Sequence, residues 1–193
     1  MYKKGLNREA IVDAAAALAE QNGMENITLR ELAEALGVKT ASLYNHLQGL
    51  PELNARLAER ALDRLTETLS RALEGRTGAE ALRALALAYR AFAHSQPQLY
   101  RAMLALPRFA DNRLAELKNS FMQLFRAVLA PYGLPDSEQV HLSRAIRSAL
   151  HGYVSLEAAG FFRSPAAAAD DSFDRMVERL CREIEGMGAA AHG

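Results

Sequence analysis

Residues 28–47 of the chain read TLRELAEALGVKTASLYNHL, and this stretch decides the fold expected for the N-terminal part. Thr28 and Glu31 have the spacing of a capping box, in which the threonine hydroxyl and the glutamate carboxylate each accept a hydrogen bond from a backbone N–H at a helix start. Gly37 is the expected end of that helix, because glycine tolerates the left-handed backbone found just beyond a helix C-terminus. A further short helix is predicted over 40–47. Two short helices joined by a tight turn form a helix-turn-helix, which is the structure that we predict here.

The second helix of this motif carries side chains suited to reading DNA. An α-helix fits the major groove of a duplex, where its N-terminal side chains can reach the base edges. Asparagine can pair with adenine and lysine can reach guanine, while hydroxyl groups suit phosphate oxygens. Leu43 and Leu47 are expected to anchor the helix from behind, and residues 39–46 contain no acid. The polar candidates for DNA contacts are Lys39, Thr40, Ser42, Tyr44, Asn45 and His46.

A longer pattern joins the motif to its flanks: Leu6-Asn7-Arg8-Glu9, Thr28 to Leu36, Gly37-Val38, Ala41-Ser42-Leu43-Tyr44-Asn45-His46 and Leu53. This pattern resembles the DNA-binding domain of the TetR family of bacterial transcriptional regulators. A second resemblance covers 138–185, where Leu150-His151-Gly152 is similar to the Trp-His-Gly element of one TetR subgroup, with Leu150 standing where tryptophan is usual. We therefore expect a homodimeric repressor that binds a palindromic operator and responds to a small hydrophobic effector.

The resemblance also implies roles for single residues of the motif. Arg30, Thr40 and Ser42 stand where the family makes base contacts. Tyr44 and His46 stand where contacts with the DNA backbone are usual. These residues form the core of the expected DNA interface.

Two positions depart from the family pattern. Lys39 stands where serine or threonine often caps the second helix, so it adds a cation while weakening the cap. Leu50 replaces a lysine that commonly binds phosphate, so it is not a predicted contact. The salt dependence of DNA binding is expected to be shallower as a result, since each neutralised phosphate contributes roughly 0.9 to its slope. Thr28, at the start of the preceding helix, completes the predicted interface.

The composition excludes several classes of protein. The 193 residues are 50% hydrophobic and 24% charged, which is ordinary for a globular protein with a core. A single cysteine, Cys181, cannot form an intramolecular disulfide, and the start of the chain lacks the apolar segment of a signal peptide. No stretch approaches the roughly 18 apolar residues of a membrane helix. We therefore expect a cytoplasmic protein that binds no membrane.

The charge balance gives no general sign of a nucleic-acid partner. The chain carries 23 basic and 23 acidic residues, and residues 1–50 carry five cations against six acids. Because these acids fall outside residues 39–46, DNA affinity is expected to rest on a few placed contacts. Non-specific DNA binding is expected to be weak.

Helical periodicity continues through the rest of the chain, and strand-like alternation is essentially absent. The expected fold class is all-α, with a three-helix DNA-binding domain over 1–50 and a helical effector-binding and dimerisation domain over 51–193. Asp136 and Gln139 resemble a second capping box, and the residues from Gly186 are expected to fray. The other predicted helices cover about 7–22, 51–75, 79–94, 97–106, 111–130 and 136–160, with a last helix starting at 171.

A ligand-responsive regulator needs a site for its effector, and the central helices supply apolar side chains that can line a pocket. Aromatic and methionine stripes at helical spacing are more often plain core, so both interpretations stay open. Glu157 lies among bulky residues, which is unusual for a carboxylate, and it is a further candidate for effector contact. The pocket candidates are Tyr89, Phe92, Tyr100, Met103, Leu104, Phe109, Phe121, Phe125 and Glu157.

The helix predicted over 136–160 has a bulky side, which includes Ala145 and Leu156, and a side of small residues. We expect the bulky side to face its own subunit and the small side to meet a second copy, in a four-helix bundle with the last helix. Simple exposure of the small side to solvent is the alternative. His151 can serve the interface or the pocket, and spacing does not decide between them. The interface candidates are Ser148, His151, Ser155, Phe173, Leu180 and Ile184.

Glu138 and His141 raise a different function, a helical-bundle metal oxidoreductase, because Glu-x-x-His is the spacing of metal sites in such bundles. Such a site needs a second Glu-x-x-His, and the chain has none. Acidic residues at a helix N-terminus are the simpler interpretation. We expect no enzyme activity, no metal and no cofactor, and we expect Cys181 to be a small core residue.

Overall fold

The computed structural model of the protein describes residues 6–104 and 112–191, and all regular structure in these ranges is helical, as the sequence predicts. Two single 3₁₀ turns, Met24–Asn26 and Ala130–Tyr132, lie between longer elements. The α-helices are α1 (Arg8–Asn22), α2 (Leu29–Leu36), α3 (Thr40–Leu43), α4 (Leu50–Leu73), α5 (Gly78–Ser95), α6 (Pro97–Leu104), α7 (Asn112–Leu129), α8 (Asp136–Ala158) and α9 (Ala169–Ala191).

The described residues form two compact units. The first comprises the chain up to Arg64 together with Gln96–Leu117, so it contains α1 to α3, much of α4, and α6. The second comprises Leu65–Ser95 and the chain from Lys118 onward. Leucine, isoleucine and alanine fill much of the core of the first unit, and that of the second includes three phenylalanines. Fully buried examples are Ile11, Leu32, Leu43, Leu53 and Leu57 in the first unit, and Leu85, Phe125, Ile146, Leu150 and Phe173 in the second.

The capping box predicted at the start of α2 is confirmed. The Glu31 N–H donates to the Thr28 hydroxyl at 3.2 Å, and the Thr28 N–H donates to the Glu31 carboxylate at 3.2 Å. Gly37 ends the helix with φ of 67°, in the left-handed region that only glycine adopts without strain. The turn between α2 and α3 is therefore fixed by local sequence.

The second predicted capping box, at Asp136, is wrong. Pro135 already supplies the extended backbone before α8, so Asp136 is the first helical residue and its side chain makes no cap. The Gln139 amide instead donates to the Leu134 carbonyl at 2.9 Å. The Asp136 carboxylate stabilises α8 only through the positive end of the helix dipole.

Two predicted helix ends also differ from the structure. α3 ends at Leu43 rather than at 47, because the His46 N–H donates to the Leu43 carbonyl at 2.9 Å and tightens the last turn. α9 continues to Ala191, although its residues from Gly186 were expected to fray. Gly188 explains this continuation, since a Cβ there would lie 2.8 Å from the Tyr132 ring. Its missing side chain lets the ring pack directly against the end of α9.

The buried face of α8 runs through Leu142, Ile146, Leu150 and Val154. Leu156, expected on this face, is 45% exposed. It lies two residues beyond Val154 and therefore about 200° round the helix axis from it. Ala145 is exposed as well. The predicted bulky side is thus correct in its centre and wrong at its edge.

No helix in the described ranges is both long and apolar enough to span a membrane.

Candidate nucleic-acid interface

Residues 39–46, here called the reading segment, comprise α3 with one residue before it and the turn after it. Leu43 is fully buried and so is Leu47 just beyond, which holds the segment against its own unit. Other residues of the segment face outward: Tyr44 is 59% exposed, and Lys39 and Asn45 are exposed too. Thr40, Ser42 and His46 are half-buried. The segment therefore presents donors, acceptors and one aromatic ring on its open side.

The start of the reading segment lacks a side-chain cap. Lys39 occupies the cap position and makes no capping hydrogen bond, as expected where lysine replaces serine or threonine. The first turn is closed by the backbone alone, with the Ser42 N–H donating to the Lys39 carbonyl at 2.8 Å. Lys39 stays exposed at the start of α3, so its ammonium group is available to a phosphate.

The end of the reading segment is held by a residue to which the sequence analysis gave no role. Arg8, at the start of α1, donates from Nε to the His46 carbonyl at 3.2 Å and lies 4.0 Å from the Glu52 carboxylate. Arg8 stands inside the Leu-Asn-Arg-Glu pattern at the start of the chain, and that position is the only sequence signal that could have suggested its contact with the reading segment.

The predicted contacts on α2 are engaged within the chain. The Thr28 hydroxyl donates to Glu31 at 2.9 Å, and the Arg30 guanidinium donates to Glu34 at 3.0 Å. Arg30 keeps 84% of its side chain exposed, so this ion pair is weak and can exchange for a phosphate or a base edge. Contacts of Thr28 and Arg30 with DNA stay predictions.

The predicted effector residues are divided between the two units. Tyr100 and Met103 are buried on α6, in the first unit, whereas Tyr89, Phe92 and Phe125 are buried in the second. Phe121 also lies in the second unit, with its ring 5.2 Å from that of Phe125 in an edge-to-face arrangement. Leu104 is 53% exposed. Phe109 lies outside the described residues.

Glu157, the charged effector candidate, is engaged by neighbours of its own subunit. One oxygen accepts from Arg90 Nε at 2.9 Å and lies 2.8 Å from His94 Nε2, and the other accepts from Arg90 Nη2. The Arg90 hydrogen bonds hold the pKa of the Glu157 carboxyl below its usual range, with a smaller effect from His94 and against the opposing effect of burial. Both oxygens are thus already used in bracing α5 to α8.

The predicted interface residues differ in what they leave for a partner. Ser148 is exposed, and His151, Ser155 and Leu180 are half-buried. Phe173 and Ile184, by contrast, are buried in the packing of their own subunit and leave almost no surface for a second copy. A groove of about 340 Å³ runs along the outer side of α9, past Met176 and Leu180.

The described part of the chain holds no group of three or more histidine, cysteine or acidic side chains that could bind a metal ion. Glu138 and His141 therefore find no further ligands there. Cys181 is buried, and burial raises the pKa of its thiol, which suits a core residue and not a reactive one.

Two family descriptions match the chain. The model described as bacterial regulatory proteins of the tetR family matches residues 11–48, and the one described as a tetracyclin repressor-like C-terminal domain matches residues 82–180. The first covers the helix-turn-helix, and the second runs from within α5 to about the middle of α9.

Similar proteins agree with these matches over nearly the full chain. An uncharacterized HTH-type transcriptional regulator of Mycobacterium tuberculosis is 34% identical over 182 residues, which are 93% of this chain and 82% of the relative. A second uncharacterized HTH-type regulator, from Bacillus subtilis, is 35% identical over 153 residues, or 79% of each chain. A solved structure of a protein of unknown function from Rhodococcus sp. RHA1 superposes with a TM-score of 0.78 at 25% identity, covering 94% of this chain and 97% of that one.

Proposed function

The chain belongs to the TetR family of transcriptional regulators, and from this premise we propose that it is a ligand-responsive repressor that binds a palindromic operator as a homodimer. We further propose that it falls in the subgroup with a Trp-His-Gly-type C-terminal domain, here with Leu150 in the place of tryptophan. One observation carries the DNA-binding part of the proposal: an acid-free reading segment, exposed on its polar side and anchored by Leu43 and Leu47.

The reading segment supplies both kinds of contact that operator binding needs. Asn45 and Lys39 are exposed and have the chemistry for adenine and guanine edges, and Thr40 and Ser42 can reach bases or phosphates. The Tyr44 hydroxyl suits a phosphate oxygen. Because the surrounding domain carries more acids than cations, these few contacts would have to provide most of the affinity.

Replacement of Tyr44 by alanine tests this interface. The lost phosphate contact should weaken operator binding about tenfold or more, since a hydrogen bond to a charged group contributes about 1.5–3 kcal/mol. Folding should be unaffected, because Tyr44 is 59% exposed. The measurement is fluorescence anisotropy with DNA flanking the protein's own gene, together with the melting temperature.

Phe161→Ala is the matched control, since Phe161 is 73% exposed but belongs to the second unit. It should bind DNA like the wild type. Unchanged affinity of the Tyr44 variant, with a normal melting temperature, would remove the reading segment from the DNA interface.

The proposed domains, 1–50 for DNA and 51–193 for effector and partner, fit a symmetric mode of binding. A two-fold homodimer would set two reading segments about 34 Å apart, one turn of DNA, or somewhat more. The operator would then be a palindrome with half-sites at this spacing. Operator binding would take place in the cytoplasm, where the operator DNA lies.

The effector is proposed to be small and hydrophobic. Support comes from aromatic side chains of the second unit: Tyr89, Phe92 and Phe125 are buried, and the half-buried Phe121 packs edge-to-face against Phe125. A ligand can shift the DNA-binding equilibrium only as far as its affinities for the two states differ. The alternative function, a metal oxidoreductase, is not favoured, because no other described residues join Glu138 and His141 to form a metal site.

A further inference from the structure

A cleft of about 360 Å³ lies between α7 and α8 in the second unit. Three arginines line it, Arg126, Arg144 and Arg147, together with the amide side chains of Asn119 and Gln123. Among the described residues at its walls there is no aspartate or glutamate. The cleft is therefore a strongly cationic cavity in a chain whose net charge is zero.

Arg147 is half-buried at the floor of the cleft, and Arg126 and Arg144 are exposed at its mouth; all three differ from two other arginines of the unit in lacking an acidic partner among the described residues. Arg90 is paired with Glu157 and Asp170, and Arg83 is paired with Glu178. Within the described ranges, no carboxylate lies in salt-bridge distance of the three cleft arginines. Arg147 donates from Nε to the Ser143 backbone carbonyl at 3.1 Å and lies over the Phe125 ring at 5.9 Å, and both of these partners are neutral.

No acidic side chain among the described residues of the cleft wall offsets the positive charge of these arginines. Burial lowers the pKa of the Arg147 guanidinium, and the neighbouring Arg144 lowers it further. The first effect is the cost of removing one guanidinium group from water, and the second is the repulsion between two neighbouring cations. A bound anion would remove that cost.

Ser143 provides a second, independent sign of a ligand. It is 1% exposed, it lines the cleft, and its hydroxyl oxygen has no hydrogen-bond partner among the residues that the structure describes. Buried hydroxyl groups without a partner are rare, because their desolvation is not repaid. The group that would satisfy Ser143 is expected inside the cleft.

We propose that this cleft binds a small anion bearing a carboxylate or phosphate group, held by the guanidinium groups of Arg126, Arg144 and Arg147 and by the Ser143 hydroxyl. Guanidinium groups bind both kinds of oxyanion in bidentate fashion. The volume exceeds that of a bare phosphate and falls in the range of small-molecule sites. Met122 and Val140 supply apolar contacts for the body of such a molecule. Anion binding in this cleft goes beyond the proposed function, since it depends neither on operator binding nor on the proposed hydrophobic effector.

Isothermal titration calorimetry with pyrophosphate and with citrate tests the binding, at constant ionic strength set by sodium chloride. The full-length wild type should bind one of them saturably, with a dissociation constant of about 1 mM or below. The double variant Arg126→Gln/Arg144→Gln should lose about tenfold or more of that affinity, because it loses charge-assisted hydrogen bonds. Binding of pyrophosphate alone would identify a phosphate ligand, and binding of citrate alone a carboxylate ligand.

Two variants serve as controls. Arg163→Gln makes the same change at an exposed arginine outside the cleft and should bind the anion like the wild type. Ser143→Ala should leave the melting temperature of the free protein unchanged or raise it, since it removes an unsatisfied hydroxyl. It should also reduce the stabilisation that the anion confers.

Three results would overturn the proposal. The first is that neither anion binds saturably. The second is that the double variant binds the anion as tightly as Arg163→Gln does. The third is that the double substitution dissociates a dimer while the affinity for the anion stays unchanged. The last would assign the arginines to a subunit contact. Because these titrations contain no DNA, their failure leaves operator binding untouched, and Tyr44→Ala should bind the anion normally even where it fails on DNA.

Discussion

At the scale of single residues, Glu157 has the most consequential contacts in the second unit. Its carboxylate binds Arg90, and Arg90 in turn donates to Asp170 at 2.6 Å and stacks on the Phe173 ring at 4.8 Å. Three helices, α5, α8 and α9, therefore meet through one guanidinium group. Both charged side chains of the central pair are largely buried, 13% and 14% exposed, so removal of one leaves the other poorly compensated.

We predict that Glu157→Gln lowers the free energy of unfolding by about 1–3 kcal/mol at neutral pH. The folded-state pKa of Glu157 lies below its unfolded value of 4.5, so the stabilisation is fully present above that value. It is lost as the pH falls through the folded pKa, because the protonated carboxyl no longer pairs with Arg90. Urea unfolding of both proteins across the acid range should show the two stability curves converging at low pH.

Glu178→Gln is the control for this prediction. The Glu178 carboxylate pairs with Arg83 across α5 and α9 in the same way, but both side chains are nearly half exposed. An exposed pair contributes little, so this variant should unfold almost like the wild type. Equal losses in the two variants, or a Glu157 effect that persists at low pH, would contradict the bracing role.

At the scale of elements, α6 begins with a cap supplied by another helix. The Glu20 carboxylate of α1 accepts from the N–H groups of Gln98 at 3.3 Å and Leu99 at 2.8 Å, in the first turn of α6. The Met24 N–H also donates to the Gln98 side chain at 3.3 Å. Because α6 carries Tyr100 and Met103, these two effector candidates belong to the unit that contains the reading segment.

We predict that Glu20→Ala destabilises the first unit by about 1 kcal/mol, the usual effect of losing a helix cap. The Leu99 N–H should then exchange faster with deuterium, since it loses its acceptor. Hydrogen exchange followed by NMR measures this amide directly. Glu25→Ala, at an exposed glutamate of the same unit, should leave the exchange rate as it is. Unchanged protection of Leu99 in the Glu20 variant would show that the cap contributes nothing.

Local chemistry explains which elements the sequence predicts well. Thr28 and Glu31 lie within one turn at the start of α2, and Gly37 ends the helix through its own backbone, so both ends of α2 can be foreseen. One error arises where a distant residue decides, since the Tyr132 ring packs at Gly188 near the end of α9, and no local pattern announces that packing. The other error is local, since Pro135, directly before Asp136, occupies the cap position.

The same distinction applies to the candidate sites. The reading segment is contiguous, and its inner leucines and outer polar groups follow from helical spacing alone. The arginine cleft is assembled from Arg126 on α7 and Arg144 and Arg147 on α8, and only the packing of these helices brings them together. Sequence reasoning found apolar effector candidates and missed this cationic cavity, because no periodic pattern marks it.

At the scale of the whole molecule, the outer face of α8 is the surface that we propose for dimerisation. Its residues are small, and Gly152 is the most informative of them: a Cβ there would meet no described atom within 4 Å. Glycine inside a helix costs about 0.5–1 kcal/mol relative to alanine, and no described residue of its own subunit requires it. Close approach of a second copy of the chain would explain why a glycine stands at this position. The small residues of this face are Ala145, Ser148, Gly152, Ser155 and Ala159.

We predict that the wild type sediments as a dimer at about 1 μM and that Ser155→Arg sediments as a monomer. A two-fold interface places the same patch of both subunits in contact, so one substitution introduces two bulky cations near the axis. Ser70→Arg, the same change at an exposed position of α4, should remain dimeric. Gly152→Ala should weaken the dimer although alanine favours the helix itself. If this face of α8 were instead exposed to solvent, the same substitution would only stabilise the helix. A wild-type monomer, or a Ser155 variant that stays dimeric, would place the subunit contact elsewhere.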